Sequence, residues 1–437
     1  ANVPLPPSHP PAPDLPPLQS EPGPVADRQN SPSFPLATVP QKKNTKRGRF
    51  LAISLVLALL AGGGVAAYRY LPKRQQQERP TFAASEELDR ALASGSLDRL
   101  MRTREKARAA LAGEKPDPDG LVRLALSEAL LSLDYGVAAA KNAEEVLRRM
   151  PPRDPNQPQR EVLVEAARGI LSLDTGDRAS ARLHVQLALA KAGVRPPPVL
   201  LMLSARLHSL SGDLTSAGQE LDRAVTEAPH FAPALADWAL HQVDAGDPSL
   251  ARRVLKDFLA KNRSATCVQL AAAQVERALG EGAWKRHADI ACHGDIRAAR
   301  GLRASCSVAS AQDDRLDGER NAAIRKAKTA AQGTDDPRVL ADAAMVLALL
   351  GEIDPADEVL ARARKGADSS FVPLAWADLA VRLGRGQVDG PGPPSDRPTL
   401  SERALLVLRA AYLKGGGPAL ATVVKNVAAN LPELDSD

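Results

Sequence analysis

The stretch that decides the fold runs from Gly212 to Leu259, GDLTSAGQELDRAVTEAPHFAPALADWALHQVDAGDPSLARRVLKDFL. It contains one pattern twice, in which Gly-Asp is followed by small and aliphatic residues at fixed distances. The first copy has Gly212, Asp213, Ala217, Leu221 and Val225, and the second has Gly246, Asp247, Ala251, Leu255 and Leu259. Apolar residues spaced by about four positions indicate amphipathic helices. The stretch therefore predicts a repeating unit of two helices.

The same pattern extends in both directions along the chain. Further markers of the turn between two helices are Gly176-Asp177, Gly280-Glu281 and Gly351-Glu352, with weaker ones at Gly318 and Gly384. The markers are nearly evenly spaced, and the widest interval lies between Gly280 and Gly318. Aromatic residues make up only 3% of the sequence, and the apolar content is mostly Ala, Leu and Val. Composition and periodicity together predict an all-α protein.

A period of about 34 residues built from two helices resembles the tetratricopeptide repeat. In that family's frame Gly212 occupies the turn between helices, and small or closing residues stand at Ala205, Ala217, Ala224 and Pro229. The next repeat departs from the frame at Arg263, where the closing proline is expected. The resemblance covers residues 121–384 and is weak between Ala288 and Glu319. It implies a superhelical solenoid of antiparallel helix pairs, with a concave face lined by the first helix of each pair.

A membrane anchor is predicted at residues 50–68, FLAISLVLALLAGGGVAAY, nineteen residues without a charge. At about 1.5 Å per residue this helix matches the hydrocarbon thickness of a bilayer. Five basic residues precede it and four follow, which places the N-terminal tail in the cytoplasm and the large domain in the periplasm. Ser54, Ala58, Gly62 and Ala66 share one face of the helix. That face is either a homodimer contact or the ordinary composition of a membrane span.

The anchor divides the chain into predicted segments. Residues 1–49 are a disordered proline-rich tail with a basic juxtamembrane end, residues 69–80 a linker, and residues 81–437 the repeat domain. A loop is expected near 384–398, before a last helix pair at 400–413 and 418–431. Prolines spaced by three in the tail indicate polyproline II, either a ligand for an aromatic groove or, as we favour, a semi-rigid spacer.

Charge and motifs exclude several classes of function. The net charge of +5 is concentrated beside the anchor. The repeat domain is nearly neutral, so no nucleic-acid partner is expected. The sequence has no Gly-rich phosphate loop, HExxH, GxSxG or CxxC motif. Neither an enzyme nor a cofactor is expected. His287, Cys292 and His293, with Cys267 nearby, do not share one helix face, which argues against a metal site.

The chain has three cysteines. Cys267 lies thirteen residues before Gly280 and Cys292 lies twelve residues after it, so an antiparallel hairpin that turns at Gly280 would bring the two level. In a periplasmic domain this geometry predicts a Cys267–Cys292 disulfide. The alternative is that all three cysteines are small buried residues among alanines.

The family frame assigns the concave groove. Its positions are mostly apolar and carry a few isolated polar side chains, namely Ile170, Met202, Arg206, Leu240, Leu270, Gln274, Arg277 and Met345. Such a groove suits an extended or helical segment of a partner protein, unless some of these residues simply pack between repeats.

These observations predict a single-pass protein of the inner membrane that acts as a protein–protein interaction scaffold. The Ala-, Arg- and Pro-rich composition indicates a bacterial cell-envelope assembly. The alternative is the sensor or output portion of a signalling receptor, for example a kinase, whose catalytic domain lies upstream of residue 1.

Overall fold

The computed structural model describes residues 74–387, except 114–115, 153, 155, 281 and 294–295. Within these ranges the chain is all-helical, with seventeen helices and no strand beyond one isolated bridge. None of the described helices is long and apolar enough to cross a bilayer. The predicted tail at 1–49, anchor at 50–68 and last helix pair at 400–413 and 418–431 lie outside the described residues.

The helices are numbered here in chain order. They are α1 (Arg74–Ser94), α2 (Leu97–Ala110), α3 (Pro118–Tyr135), α4 (Ala140–Arg148), α5 (Pro158–Asp174), α6 (Arg178–Ala192), α7 (Pro198–Leu210), α8 (Leu214–Glu227), α9 (Ala232–Asp244), α10 (Pro248–Lys261), α11 (Thr266–Ala278), α12 (Trp284–Cys292), α13 (Arg300–Leu316), α14 (Arg320–Gly333), α15 (Pro337–Leu349), α16 (Ile353–Gly366) and α17 (Val372–Gly384). From α1 to α16, each odd-numbered helix packs against the even-numbered helix that follows it, which makes a solenoid-like series of hairpins.

The two helices of a hairpin differ in burial. In α8 only Ala217, Leu221 and Ala224 are buried, as expected of an amphipathic outer helix. In α7 every residue from Val199 to Ala205 is buried. The same contrast holds between α9 and α10 and between α15 and α16, so these odd-numbered helices form an inner layer that the even-numbered helices cover.

The turns explain why Gly-Asp marks the repeat. Six glycines between the helices of a hairpin have left-handed backbone with φ between 75° and 83°, namely Gly176, Gly212, Gly246, Gly280, Gly318 and Gly351. A residue with a Cβ is strained in that region. At three of these turns the next residue is an aspartate whose carboxylate accepts a hydrogen bond from the backbone near the start of the even helix, as Asp213 does from Ser216 N. The predicted marker Gly384 is wrong, because it ends α17 and the left-handed glycine is Gly386.

Two further features concern the lengths of the connections. Helix α1 begins at Arg74, so residues 74–80 are helical although they were predicted as part of the linker at 69–80. The wide interval between the markers Gly280 and Gly318 has a structural cause, since α12 ends at Cys292 and α13 begins only at Arg300. The extra residues lengthen the connection without changing the order of the hairpins.

The predicted Cys267–Cys292 disulfide is wrong. Cys292 is bonded to Cys306 of α13, with 5.9 Å between their Cα atoms, and Cys267 is a free thiol. Cys267, at the start of α11, lies instead against Gly95, where a Cβ on that glycine would approach the sulfur to 2.4 Å. Two residues at the same height on the antiparallel helices of a hairpin do not necessarily form a disulfide, because their Cβ atoms must also point toward each other.

The hairpin series closes on itself after five hairpins. Helix α1 contacts α9, and α3 contacts α13. At the first turn, Leu97 N donates to Thr266 Oγ1, 169 residues later, and Cys267 N donates to Gly95 O at 3.3 Å. We call this line of contact the seam. Along the seam, the turn between the two helices of an early hairpin contacts the start of the odd-numbered helix five hairpins later in the chain. The seam encloses the surface that the odd helices present inward.

Candidate functional site

Three turns of the seam are packed tightly against a later segment, and a fourth is packed loosely. A Cβ at Gly95 would lie 2.4 Å from Cys267 Sγ, at Gly136 2.3 Å from Gly301 N, and at Gly212 2.2 Å from Ser370 Oγ. At the turn between α5 and α6 no described atom outside its chain neighbours lies within 4 Å of a Cβ placed at Gly176, although two residues further on Arg178 Nη1 donates to Asp368 Oδ1 at 2.9 Å, 190 residues later. Residues of that turn and of the start of α15, five hairpins later, line the same space, which is open at Gly176. We call this space the gap.

The gap leads into an inner cavity of about 890 Å³. Its outer rim includes exposed residues from both sides of the seam, namely Ala138, Thr175, Gln332, Asp335 and Lys365. Its deeper walls come from α7, α9, α11, α13 and α15. The odd helices therefore line one shared cavity, which is partly open to solvent.

Arg206 ties three inner helices together inside this cavity. Its guanidinium donates to Asp134 of α3 and to both carboxylate oxygens of Asp237 of α9, with Nη2 to Oδ1 at 3.1 Å. Burial opposes the charge of Arg206, but the two carboxylates outweigh it and raise its pKa well above the usual range. Arg206 is thus a fixed structural cation, although the sequence predicted an isolated polar point.

A second buried pair spans the cavity from α15 to α9. Arg338 donates through both terminal nitrogens to the carboxylate of Asp244, with Nη1 to Oδ1 at 3.2 Å. Its guanidinium also lies 5.5 Å from the centre of the Phe371 ring. Two-pronged contacts of this kind fix orientation as well as charge. The pair holds together helices whose paired residues are 94 positions apart in sequence.

Two charged side chains in the cavity have no such partner among the described residues. Arg277 of α11 lies over the Trp284 ring, 4.6 Å from its centre, and its Nε and Nη2 atoms are buried without a hydrogen-bond partner in the described structure. Burial lowers the pKa of Arg277 to about 10. Asp342 of α15 lines the same cavity, and burial raises its pKa to about 6 in spite of Arg338 and Arg277 nearby.

The predicted groove residues divide into two groups. Arg206, Leu240, Leu270, Gln274 and Arg277 all line the cavity and are brought together by it. Ile170, Met202 and Met345 do not line it; the first two are wholly buried and Met345 is 7% exposed. These three pack between helices because α5, α7 and α15 are covered on both sides. Their assignment to an accessible groove is corrected accordingly.

Sequence reasoning missed the carboxylates that line the cavity. Asp134, Asp174 and Asp244 each stand two residues before a turn glycine, Gly136, Gly176 and Gly246 respectively. This spacing is a sequence signal, since the last turn of an odd helix is a fixed position in each repeat. Asp237, Asp342 and Arg338 carry no such signal, because only the closure of the seam brings their helices together.

No protein-family model matches the chain, and no curated protein is significantly similar to it. The cavity and its charges are accordingly the observations from which a function can be inferred.

Proposed function

We propose that the protein is a membrane-anchored binding protein that holds a segment of a partner protein in its inner cavity. The observation that carries this proposal is the gap in the seam, since it connects the rim at Thr175 and Asp335 with the buried walls of the cavity. The likeness of the repeat to the tetratricopeptide family supports protein binding. Three parts of this proposal rest on the sequence alone: the membrane anchor at 50–68, the location of the repeat domain in the periplasm, and membership of a cell-envelope assembly.

An extended segment fits this geometry better than a folded surface does. The inward sides of the odd helices are enclosed by the seam, which hydrogen bonds such as Cys267 N to Gly95 O hold closed. An extended polypeptide segment has a small cross-section and can enter the cavity through the gap.

A second candidate is the sensor portion of a membrane receptor. The observation that favours it is the size of the cavity, because about 890 Å³ falls within the range of roughly 300–1,000 Å³ that is typical of small-molecule sites. In that case a small ligand would occupy the space that the first candidate assigns to a protein segment.

Site-specific photocrosslinking in intact cells tests the first candidate. A crosslinking amino acid replaces Lys365 on the rim, and the control replaces Lys256, an exposed lysine of α10 that does not line the cavity. We expect the crosslinker at position 365 to capture one contiguous segment of a partner, and the crosslinker at 256 not to. Capture of the same peptides from both positions would contradict the proposal.

Blocking the gap provides the second arm. The double variant Ala138→Trp, Gln332→Trp fills the rim, and Ala190→Trp, Gln186→Trp makes the same changes at exposed positions of α6 away from it. Crosslinking from position 365 should fall in the first variant and persist in the second. If position 365 captures no protein and the purified full chain releases a small molecule on denaturation, the receptor candidate is favoured.

A further inference from the structure

Among the described residues, the inner cavity is lined by one cation and one anion that have no hydrogen-bonded partner and lie on different helices. Arg206 and Arg338 are satisfied by Asp134, Asp237 and Asp244. Arg277 and Asp342 both line the cavity and influence each other's charge, yet the described structure has no ion pair between them. Both side chains are partly buried; the buried Nε and Nη2 atoms of Arg277 lack an acceptor, and the Asp342 carboxylate is open to the cavity.

Arg277 is held in place by stacking rather than by hydrogen bonds. The guanidinium carbon lies 4.6 Å from the Trp284 ring centre, a cation–π contact that holds the group against the ring. Its buried Nε and Nη2 atoms find no acceptor among the described residues. A fixed guanidinium whose donors are unused is ready to donate to an acceptor that enters the cavity.

Asp342 is the complementary group. It stands four residues after Arg338 on α15, but that arginine donates to Asp244 across the cavity. Asp342 is left facing the cavity with acceptor capacity and, within the described part of the chain, with no hydrogen bond of its own. A donor on a ligand would complete it.

We infer, on the basis of the proposed function, that Arg277 and Asp342 together bind a neutral amide group of the ligand, with its carbonyl toward Arg277 and its N–H toward Asp342. A carboxylate would satisfy Arg277 but would be repelled by Asp342. An ammonium group would satisfy Asp342 but would be repelled by Arg277. An amide carries an acceptor beside a donor on one uncharged group, so it offers each side chain a partner and is repelled by neither.

The surroundings of the pair indicate apolar groups beside the amide. Leu270, Val308 and Val339 line the same cavity on the helices that carry Arg277 and Asp342 or lie between them. Apolar walls with a few placed polar groups are typical of specific sites. Peptide bonds flanked by aliphatic side chains and small aliphatic amides share this chemistry.

Four matched probes test the inference on the full chain in lipid nanodiscs, with empty nanodiscs subtracted. They are N-methylbutanamide, butanoate, butylamine and methyl butanoate, which share a chain length and differ in charge and donors. Binding is followed by tryptophan fluorescence, and Trp284→Phe identifies the signal of the ring beside Arg277. We expect the amide to bind about tenfold more tightly than the others, because each of them leaves a buried group unpaired or repelled. Tightest binding of butanoate or butylamine, or no saturable response, would overturn the inference.

Variants of the pair should invert the order of the probes. Asp342→Asn leaves Arg277 as the unpaired charge, so butanoate should become the tightest probe. Arg277→Gln leaves Asp342 as the unpaired charge, so butylamine should become the tightest probe. The controls Arg286→Gln and Asp289→Asn make the same charge changes at exposed positions of α12 and should keep the amide first. A mere loss of folding cannot invert a preference, and an unchanged order in both cavity variants would overturn the inference.

A peptide arm separates the two sources of the amide. The probe is the tripeptide Ala-Leu-Ala, acetylated and amidated so that it carries amides and no charge. Tighter binding of the peptide than of N-methylbutanamide identifies a protein segment as the source. Tighter binding of N-methylbutanamide upholds the amide assignment but goes against the proposed function. If binding is lost in the rim-blocked variant but Arg277→Gln has no effect, the ligand binds in the cavity without using Arg277. That result would support the proposed function and overturn the amide assignment.

Discussion

The hydroxyl of Ser370 donates a hydrogen bond to the backbone carbonyl oxygen of Ser211, 159 residues earlier in the chain, at 3.0 Å. In the same place Asp368 N donates to Leu210 O at 2.9 Å. The two segments belong to hairpins five repeats apart, and they can approach this closely because residue 212 is glycine. The seam that encloses the cavity therefore depends on the absence of a side chain at the turn.

Matched glycine substitutions should separate backbone strain from closure of the seam. Gly212 and Gly176 have φ of 77° and 78°, but a Cβ would meet Ser370 Oγ at 2.2 Å at the first and nothing within 4 Å at the second. Gly176→Ala should cost about 1–2 kcal/mol from the left-handed backbone alone. Gly212→Ala should cost about 1–3 kcal/mol more through overpacking. Urea unfolding of the two variants measures the difference.

A second substitution provides the control for this prediction. Ser370→Gly removes the hydroxyl and the Cβ that the new methyl group would meet. In the Gly212→Ala background it should recover part of the lost stability, and in the Gly176→Ala background it should recover none. Equal costs of the two alanine variants would show that the contact at Ser370 does not hold the seam closed.

Asp342→Asn should stabilise the protein near neutral pH. Burial raises the pKa of Asp342 from 3.8 to about 6, so the folded state binds its proton more tightly than the unfolded chain does. The ionised form therefore costs stability above about pH 6, and this cost disappears as the pH falls toward 4. A difference of about two pKa units corresponds to roughly 3 kcal/mol at most.

The measurement is the stability difference between Asp342→Asn and the unchanged protein at about pH 7 and about pH 4, which cancels the other titrating groups. The advantage of the variant should shrink as the pH falls. An advantage that grows toward low pH would mean that the Asp342 carboxylate is stabilised in the folded state, contrary to its surroundings.

Met202 and Leu270 should respond differently to truncation. Met202 is wholly buried between helices, whereas Leu270 is only partly buried and lines the cavity. Met202→Ala should cost about 2–5 kcal/mol because it leaves a hole in packed structure, and Leu270→Ala about 1–2 kcal/mol. Partner capture should fall per folded molecule only for Leu270→Ala. The reverse order of stabilities would place Met202 on the cavity instead.

Thiol labelling should distinguish the three cysteines. Cys267 is held against Gly95, and burial raises the pKa of its thiol to about 12, so iodoacetamide should not label it in the folded protein. Denaturation without reductant should add one label, and reduction should add two more at Cys292 and Cys306. Peptide mass spectrometry reads each step. Two or more labels before reduction would contradict the Cys292–Cys306 bond.

Local features of the fold were predictable because each is decided within one repeat. Gly212 must adopt a left-handed backbone at the turn, and Asp213 caps the following helix, so the dipeptide marks a boundary wherever it occurs. The alternation of apolar residues in α8 likewise indicates a helix with one buried face. The predicted Cys267–Cys292 disulfide was wrong for a related reason. Spacing along a hairpin gives the height of a residue along its helix, but not the direction in which its side chain points.

The sequence by itself determined the all-helical class, the period, the turns and five of the residues that line the cavity, because a residue's position in its own repeat is enough to place it on an inner helix. Only the tertiary structure decided that the inner face closes into a cavity, that Met202 is core, and that Arg277 and Asp342 share one space. The physical reason is that the seam joins residues about five repeats apart. Contacts at that range depend on small rotations between successive hairpins, which accumulate along the solenoid and leave no periodic trace in the sequence.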